Sequence, residues 1–304
     1  MGDHLEPLLL QLSTALALVF AFLNGYHDGS NVVATSILSR SVTPGKALLV
    51  ASFAELTGAL LLGSAVACSI FEFMDPVLFR PVMHPASSLI LFSSLCGIIV
   101  WTPMASWVGI PPSSSHSLLG GLLGGALAAT GFGEINWSLL LKFALILLAA
   151  PPAGALAGSL LGAIPFFRVR REDEPVTHVF KRAPIAGLIL VGMCHGTNNA
   201  QKAAALATTA MFLSGSVEAM EVPLWVSVAC GSALGLGIYL GGWNIVRILG
   251  NRIFSIKPIH SFRCQTASGF VLLAATIAGG PANGVEVIKS AVAGVGAGKR
   301  TRSN

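Results

Sequence analysis

The sequence predicts an all-α polytopic membrane protein made of two inverted repeats with discontinuous or re-entrant helices. Three observations lead there. The 304 residues are 54% hydrophobic and only 10% charged, whereas soluble domains carry about 25% charged residues. Several apolar windows approach the ~20 residues that a membrane-crossing helix needs, and three others are too short to cross alone. Similar polar motifs also recur on either side of a charged segment just past the midpoint, the internal symmetry of a repeat-built membrane fold. A mean hydropathy of +0.77 excludes a disordered tail, a disulfide scaffold and an ordinary cytosolic enzyme, because only lipid tolerates so much apolar surface.

The chain opens on Met1-Gly2-Asp3-His4-Leu5-Glu6, acidic where a secretory signal would be basic, so the apolar stretch 8–23 reads as a retained span. Further spans are expected over 47–67, 89–107, 137–164 and 222–242, while 118–130, 185–194 and 268–279 are short. Residues 167–183 form a charged linker holding Arg168, Arg170, Arg171, Lys181 and Arg182. It divides the chain into a first transmembrane repeat, 1–166, and a second, 184–304. Its basic residues predict a cytoplasmic position, with the protein in the plasma (inner) membrane. Arg247, Arg252, Lys257 and Arg263 form a second basic cluster, expected on an amphipathic stretch at a membrane face. The net charge of +5 reads as an orientation signal, with no nucleic-acid partner. The five cysteines are widely spaced, without a CxxC pair, and read as small apolar residues.

Three polar knots punctuate the apolar windows. Asn24-Gly25-Tyr26-His27-Asp28-Gly29-Ser30-Asn31 closes the first span, Pro111-Pro112-Ser113-Ser114-Ser115-His116-Ser117 precedes 118–130, and His195-Gly196-Thr197-Asn198-Asn199 follows 185–194. Such interruptions mark helices broken at membrane depth, where irregular backbone survives only against protein or a water-filled cavity. The alternative is a set of interfacial loops between ordinary spans. Asn24 to Asp28 lines up with His195 to Asn199, and Gly109-Ile110-Pro111-Pro112 lines up with Gly279-Gly280-Pro281 at nearly the same offset.

On these residues the chain resembles the inorganic phosphate transporter (PiT) family. The stretch from Asn24 to Thr35 is similar to the family's Gly-x-Asn/His-Asp-x-x-Asn signature, and Gly109 to His116 resembles its Pro-x-Ser-Ser/Thr-Ser/Thr-His hairpin. His195 to Lys202 is similar to the second-half His-Gly-x-Asn-Asp motif in a Gln-Lys variant, and Gly241-Gly242-Trp243 also matches. Two departures stand out. The second-half Asp is Asn199 here, and the second hairpin reads Pro281-Ala282-Asn283-Gly284-Val285-Glu286 in place of a serine/threonine run. The second repeat is therefore expected to be shortened at its C-terminus or degenerate.

The motif residues suggest a division of labour. Ser113, Ser114 and Ser115 offer hydroxyl and amide donors at a helix start, where partial positive charge attracts a tetrahedral oxyanion; plain N-capping is the alternative. Thr197, Asn198 and Gln201 are expected to complete a phosphate-binding cage from the other repeat. Asp28 is costly at membrane depth and so functional by default. With Asn31 it is a candidate Na⁺ site or proton carrier, unless it caps a helix starting near Ser30. Glu55, alone in an apolar span, is a second candidate for cation coupling or a neutral acid in the bundle core. Asn199 is placed with them as the counterpart of Asp28. His27, His116 and His195 serve as supporting residues, as proton relays or as partners of helix carbonyls, with metal binding disfavoured for want of HxxxH spacing. Lys202 either supplies positive charge where a cation would sit in the other half or snorkels to the interface.

The resemblance implies a secondary transporter that imports inorganic phosphate by symport with Na⁺ or H⁺, needing no cofactor. Sulfate or another tetrahedral oxyanion is the alternative substrate, and homodimerisation is left open. Two other classes compete. One is an intramembrane hydrolase built on Ser115 and His116, which lacks a GxSxG elbow. The other is a non-transporting degenerate paralogue, favoured by Asn199 and Glu286.

Overall fold

The computed structural model describes residues 5–78, 86–109, 112–164, 174–243 and 256–300. Among them ten helices run in order: α1 (Leu5–Leu38), α2 (Pro44–Leu61), α3 (Ala65–Leu78), α4 (Ser87–Trp107), α5 (Ser114–Thr130), α6 (Trp137–Ala163), α7 (Glu174–Leu213), α8 (Leu224–Gly241), α9 (Pro258–Ile277) and α10 (Gly284–Arg300). Five of them, α1, α2, α4, α6 and α8, are long and apolar enough to cross a bilayer. Large apolar side chains such as Phe53, Leu148 and Leu224 face outward, while Glu55, His195 and Lys202 lie inside. This inverts the soluble pattern and suits a lipid surround.

The helices do not break at two of the three knots. Residues 24–31 lie within the 34-residue α1, and residues 195–199 lie within the 40-residue α7. The window 185–194 is thus the middle of a helix about 60 Å long. Its polar side chains find partners on neighbouring elements, so the backbone ladder has no reason to open. The third knot is a true break: α4 ends at Trp107 and α5 starts at Ser114. The window 47–67 also divides, because Gly63 takes a positive φ of 85° between α2 and α3. The charged linker falls partly outside the described residues, and residues 174–183 continue as the first turns of α7.

Small residues set the helix spacing. Gly58 on α2 lies against the Met193 backbone, and Gly196 on α7 lies against the Glu55 backbone. The counterpart pair repeats this: Gly25 on α1 abuts the Leu234 backbone of α8, and Gly237 abuts that of Phe22. So α1 packs on α8 as α7 packs on α2, each half contributing one helix to each contact. Gly154, Gly158 and Gly162 on α6 form a small-xxx-small stripe against Val287, Ala291 and Val295 of α10. Such stripes let backbones approach closely where lipid offers no hydrophobic drive between helices.

Two hairpins, α4–α5 and α9–α10, share their turn chemistry. Gly109 and Gly279 both adopt positive φ, 83° and 72°, a conformation that glycine takes without steric cost. Ser113 Oγ then accepts from the His116 N–H at 3.4 Å, and Asn283 Oδ1 accepts from the Glu286 N–H at 3.5 Å. Both are N-caps that satisfy an otherwise orphaned donor. The second hairpin keeps the turn and the cap while losing the serine hydroxyls. Glu286 is exposed.

Arg263 departs from expectation. It is buried, and its guanidinium donates to the carbonyls of Gly162 at 3.2 Å and Ile164 at 2.6 Å. It closes the C-terminal end of α6, where free carbonyls favour a cation. Arg247 and Arg252 lie outside the described residues.

Candidate functional site

One stripe of α7 organises the interior. His195, Asn199 and Lys202 follow the i, i+4, i+7 spacing that places side chains on one helix face. All three are buried, as are Asp28 on α1, Glu55 on α2 and Ser115 on α5. His195 Nδ1 lies 2.7 Å from Glu55 Oε1, and its Nε2 lies 3.3 Å from Asp28 Oδ2. Asn199 Nδ2 is 2.8 Å from the same Nε2. Lys202 Nζ donates to Asn199 Oδ1 and Ser115 Oγ, both at 2.7 Å, to the Ala282 carbonyl at 3.1 Å and to Ser114 Oγ at 3.4 Å. Ser115 Oγ in turn donates to the Ala282 carbonyl at 2.7 Å. The tips of both hairpins therefore meet over Lys202. A polar chain runs from there through Asn199 and His195 to the two carboxylates.

These contacts settle several alternatives. Lys202 does not snorkel, since its ammonium is enclosed by protein. Asp28 does not cap a helix, because α1 continues past it. Glu55 keeps Oε1 on His195, while its buried Oε2 has no hydrogen-bond partner among the described residues. Asn31 lies half-buried one turn beyond Asp28 on α1.

Other expected site residues point elsewhere. The Thr197 hydroxyl faces the Gly58 and Met193 carbonyls at 2.7 and 2.8 Å, tying α7 to α2. Asn198 holds the second hairpin turn, donating to Thr276 Oγ1 and the Gly280 carbonyl and accepting from the Ala282 N–H, each at 3.0 Å. Gln201 secures the start of α3 through the N–H of Val66, at 2.7 Å, and the Gly63 carbonyl, at 2.6 Å. Because α7 stays helical, these three residues reach different neighbours in this conformation, and their hydrogen bonds go to those partners. His27 packs edge-on against Tyr26. The exposed His116 places Nδ1 2.7 Å from Ser113 Oγ, so it does not serve Ser115 as a hydrolase base would. Among the described residues no three His, Cys, Asp or Glu side chains converge as a metal-binding group.

The profile of the "Phosphate transporter family" matches residues 24–304. The chain belongs to the phosphate transporter family. A "Probable low-affinity inorganic phosphate transporter" of Rhizobium meliloti (strain 1021) is 36% identical over 97% of this chain and 86% of its own length. A protein of the same description from Bacillus subtilis (strain 168) is 30% identical, covering 97% and 88%. A solved structure, "The sodium-dependent phosphate transporter", superposes with a TM-score of 0.82 at 22% identity, over 96% of this chain and 90% of that one; this shows a shared fold. As a family member with several bilayer-length apolar helices, the chain is a multi-pass integral membrane protein.

The sequence did not reveal the carbonyl of Ala282 as a site group or Asn198 as the tie that aims it. A backbone oxygen leaves no mark in residue identity. The i, i+4, i+7 spacing of His195, Asn199 and Lys202 was a readable signal, visible once the knot is treated as helix.

Proposed function

We propose that this protein is a secondary transporter that imports inorganic phosphate across the plasma (inner) membrane, coupled to Na⁺ or H⁺. The observation that carries this reading is the start of α5, which lies against a buried charge cluster assembled from both halves of the chain. Ser113 and Ser114 at the N-terminal end of α5 offer neutral donors at a positive helix end, the chemistry that holds a tetrahedral oxyanion. Neutral donors also release it, as turnover requires. The Ser115 hydroxyl already bridges Lys202 and Ala282, and it is available to the anion when the two hairpin tips part.

Asp28 and Glu55, joined by His195, form the coupling centre. The Asp28 carboxylate and the Glu55 oxygen without a partner among the described residues, on either side of the His195 ring, give a cation or a proton acidic oxygens in a buried setting, where an uncompensated carboxylate is costly. The halves that exchange helices across α1–α8 and α2–α7 act as two repeats, and rocking one against the other exposes the site alternately. The sodium-dependent name of the fold relative supports Na⁺ as the first ion to test. The test is uptake of radiolabelled phosphate by reconstituted protein, with Na⁺ and pH gradients imposed separately and sulfate as competitor. Uptake driven by either gradient supports the reading, and uptake driven by neither overturns it.

A further inference from the structure

We infer that the Lys202 ammonium is a built-in cation: it occupies, in the second half of the chain, the position that an exchangeable cation takes beside Asp28 in the first. The inference rests on the transport reading for its consequence, and on geometry for the site itself. Four oxygens face Nζ, those of Asn199, Ser115, Ala282 and Ser114, at 2.7 to 3.4 Å. They comprise one amide oxygen, one backbone carbonyl and two hydroxyls. This is the ligand set with which a protein replaces the hydration shell of a hard monovalent ion. None of the four is a carboxylate. The balancing acids, Asp28 and Glu55, stand farther off, beyond Asn199 and His195.

The internal alignment gives this cage its meaning. Asn199 occupies the place of Asp28, and Lys202 the place of Asn31. The first half pairs a carboxylate with a neutral amide and so attracts a cation from solution. The second half pairs a neutral amide with a tethered ammonium and needs none. The exchange of Asp for Asn and of Asn for Lys thus replaces a pair that draws a cation from solution with one that carries its own fixed positive charge. A second half of this kind keeps a positive charge at its site without drawing one from solution. The consequence is a transporter whose second half carries no exchangeable cation, so coupling rests on the Asp28 side alone.

The experiment is equilibrium binding of radiolabelled Na⁺ to purified full-length protein, against N-methyl-D-glucamine chloride at equal ionic strength. It compares the unaltered chain, Asp28→Asn, Lys202→Ala and the double variant. Lys202→Ala is expected to gain a Na⁺-binding component that survives Asp28→Asn, and its thermal midpoint to rise with Na⁺. Its phosphate uptake should increase at least about fivefold with Na⁺ over the same variant in N-methyl-D-glucamine, a typical coupling between two sites. Lys202→Asn, which restores the first-half residue, should behave likewise if the alanine variant is poorly recovered. The inference is overturned if folded Lys202→Ala binds no additional Na⁺. It is equally overturned if neither variant folds in Na⁺ buffers, or if the unaltered chain holds a Na⁺ component insensitive to Asp28→Asn. Absence of phosphate uptake by the unaltered protein would instead overturn the transport reading and leave the binding readout intact.

Discussion

The Nδ1 atom of His195 lies 2.7 Å from Oε1 of Glu55, with both side chains fully buried. The pair joins α7 to α2 at the level where Gly196 brings the two backbones together. Asp28 approaches the other ring nitrogen from α1, so His195 connects three helices through two carboxylates. Neither acid can be moved without changing what the imidazole faces.

Removal of the Glu55 carboxyl separates structure from coupling. Glu55→Ala should destabilise the protein by about 3–5 kcal/mol, because a buried polar partner is left unmatched. Glu55→Gln retains a side-chain oxygen for His195 and should fold, with uptake no longer driven by a cation gradient. Thermal unfolding in detergent and gradient-driven uptake on the same preparations check both halves. Coupled uptake by folded Glu55→Gln would remove Glu55 from the coupling centre.

Asp28→Asn should leave the fold in place, since a neutral amide of the same shape still reaches His195 Nε2. Net uptake against a gradient should be lost, while phosphate exchange across the membrane persists at equal concentrations. Counterflow measured beside gradient-driven uptake distinguishes these outcomes. Loss of counterflow as well would assign Asp28 to phosphate binding.

The sequence made the interior chemistry legible but not its geometry. Asp28, Glu55, His195 and Asn199 were recognisable because a polar side chain in an apolar run is costly and needs a reason. The hairpin turns were recognisable too, since glycine and proline beside a capping residue force the chain to reverse. What failed was the inference from a polar knot to a broken helix. At Asn24–Asn31 and His195–Asn199 the backbone stays wound, with Asp28 and the polar side chains of α7 bonding to other elements. Thr197, Asn198 and Gln201, assigned to the phosphate cage, sit at different angles around α7 and bond to different neighbours. Arg263 was legible as a charge but not as a cap, because the carbonyls it closes belong to α6, far away in sequence.

Ser115 is the only hydroxyl among the described residues seen to both accept from Lys202 and donate to Ala282. Ser115→Ala removes this bridge and leaves the carbonyl to the ammonium alone. A cost of about 1–2 kcal/mol in stability is expected, the range for losing a buried hydrogen bond. The Michaelis constant for phosphate should rise, with maximal uptake retained in part. A concentration series of initial uptake rates tests this. Complete loss of uptake in a folded variant would make Ser115 indispensable, at odds with one donor among several.

The packing of α7 on α2 gives a prediction with an internal control. A β-carbon at Gly196 would meet the Glu55 backbone, whose Cα lies only 2.5 Å from its ideal position. That is backbone on both sides, with no flexible side chain to yield, so Gly196→Ala must push the helices apart. The expected cost is about 1–3 kcal/mol, as for overpacking a filled core. The shift also moves Glu55 relative to His195, so coupling should weaken together with stability. Gly124 on α5 is the control, since nothing lies within 4 Å of its ideal β-carbon. Gly124→Ala should be neutral or stabilising by about 0.5–1 kcal/mol, through the entropy glycine costs a helix. Thermal midpoints of the two variants, read beside gradient-driven uptake, decide the matter. Equal behaviour would mean that the α2–α7 contact is slack and does not set the Glu55–His195 distance.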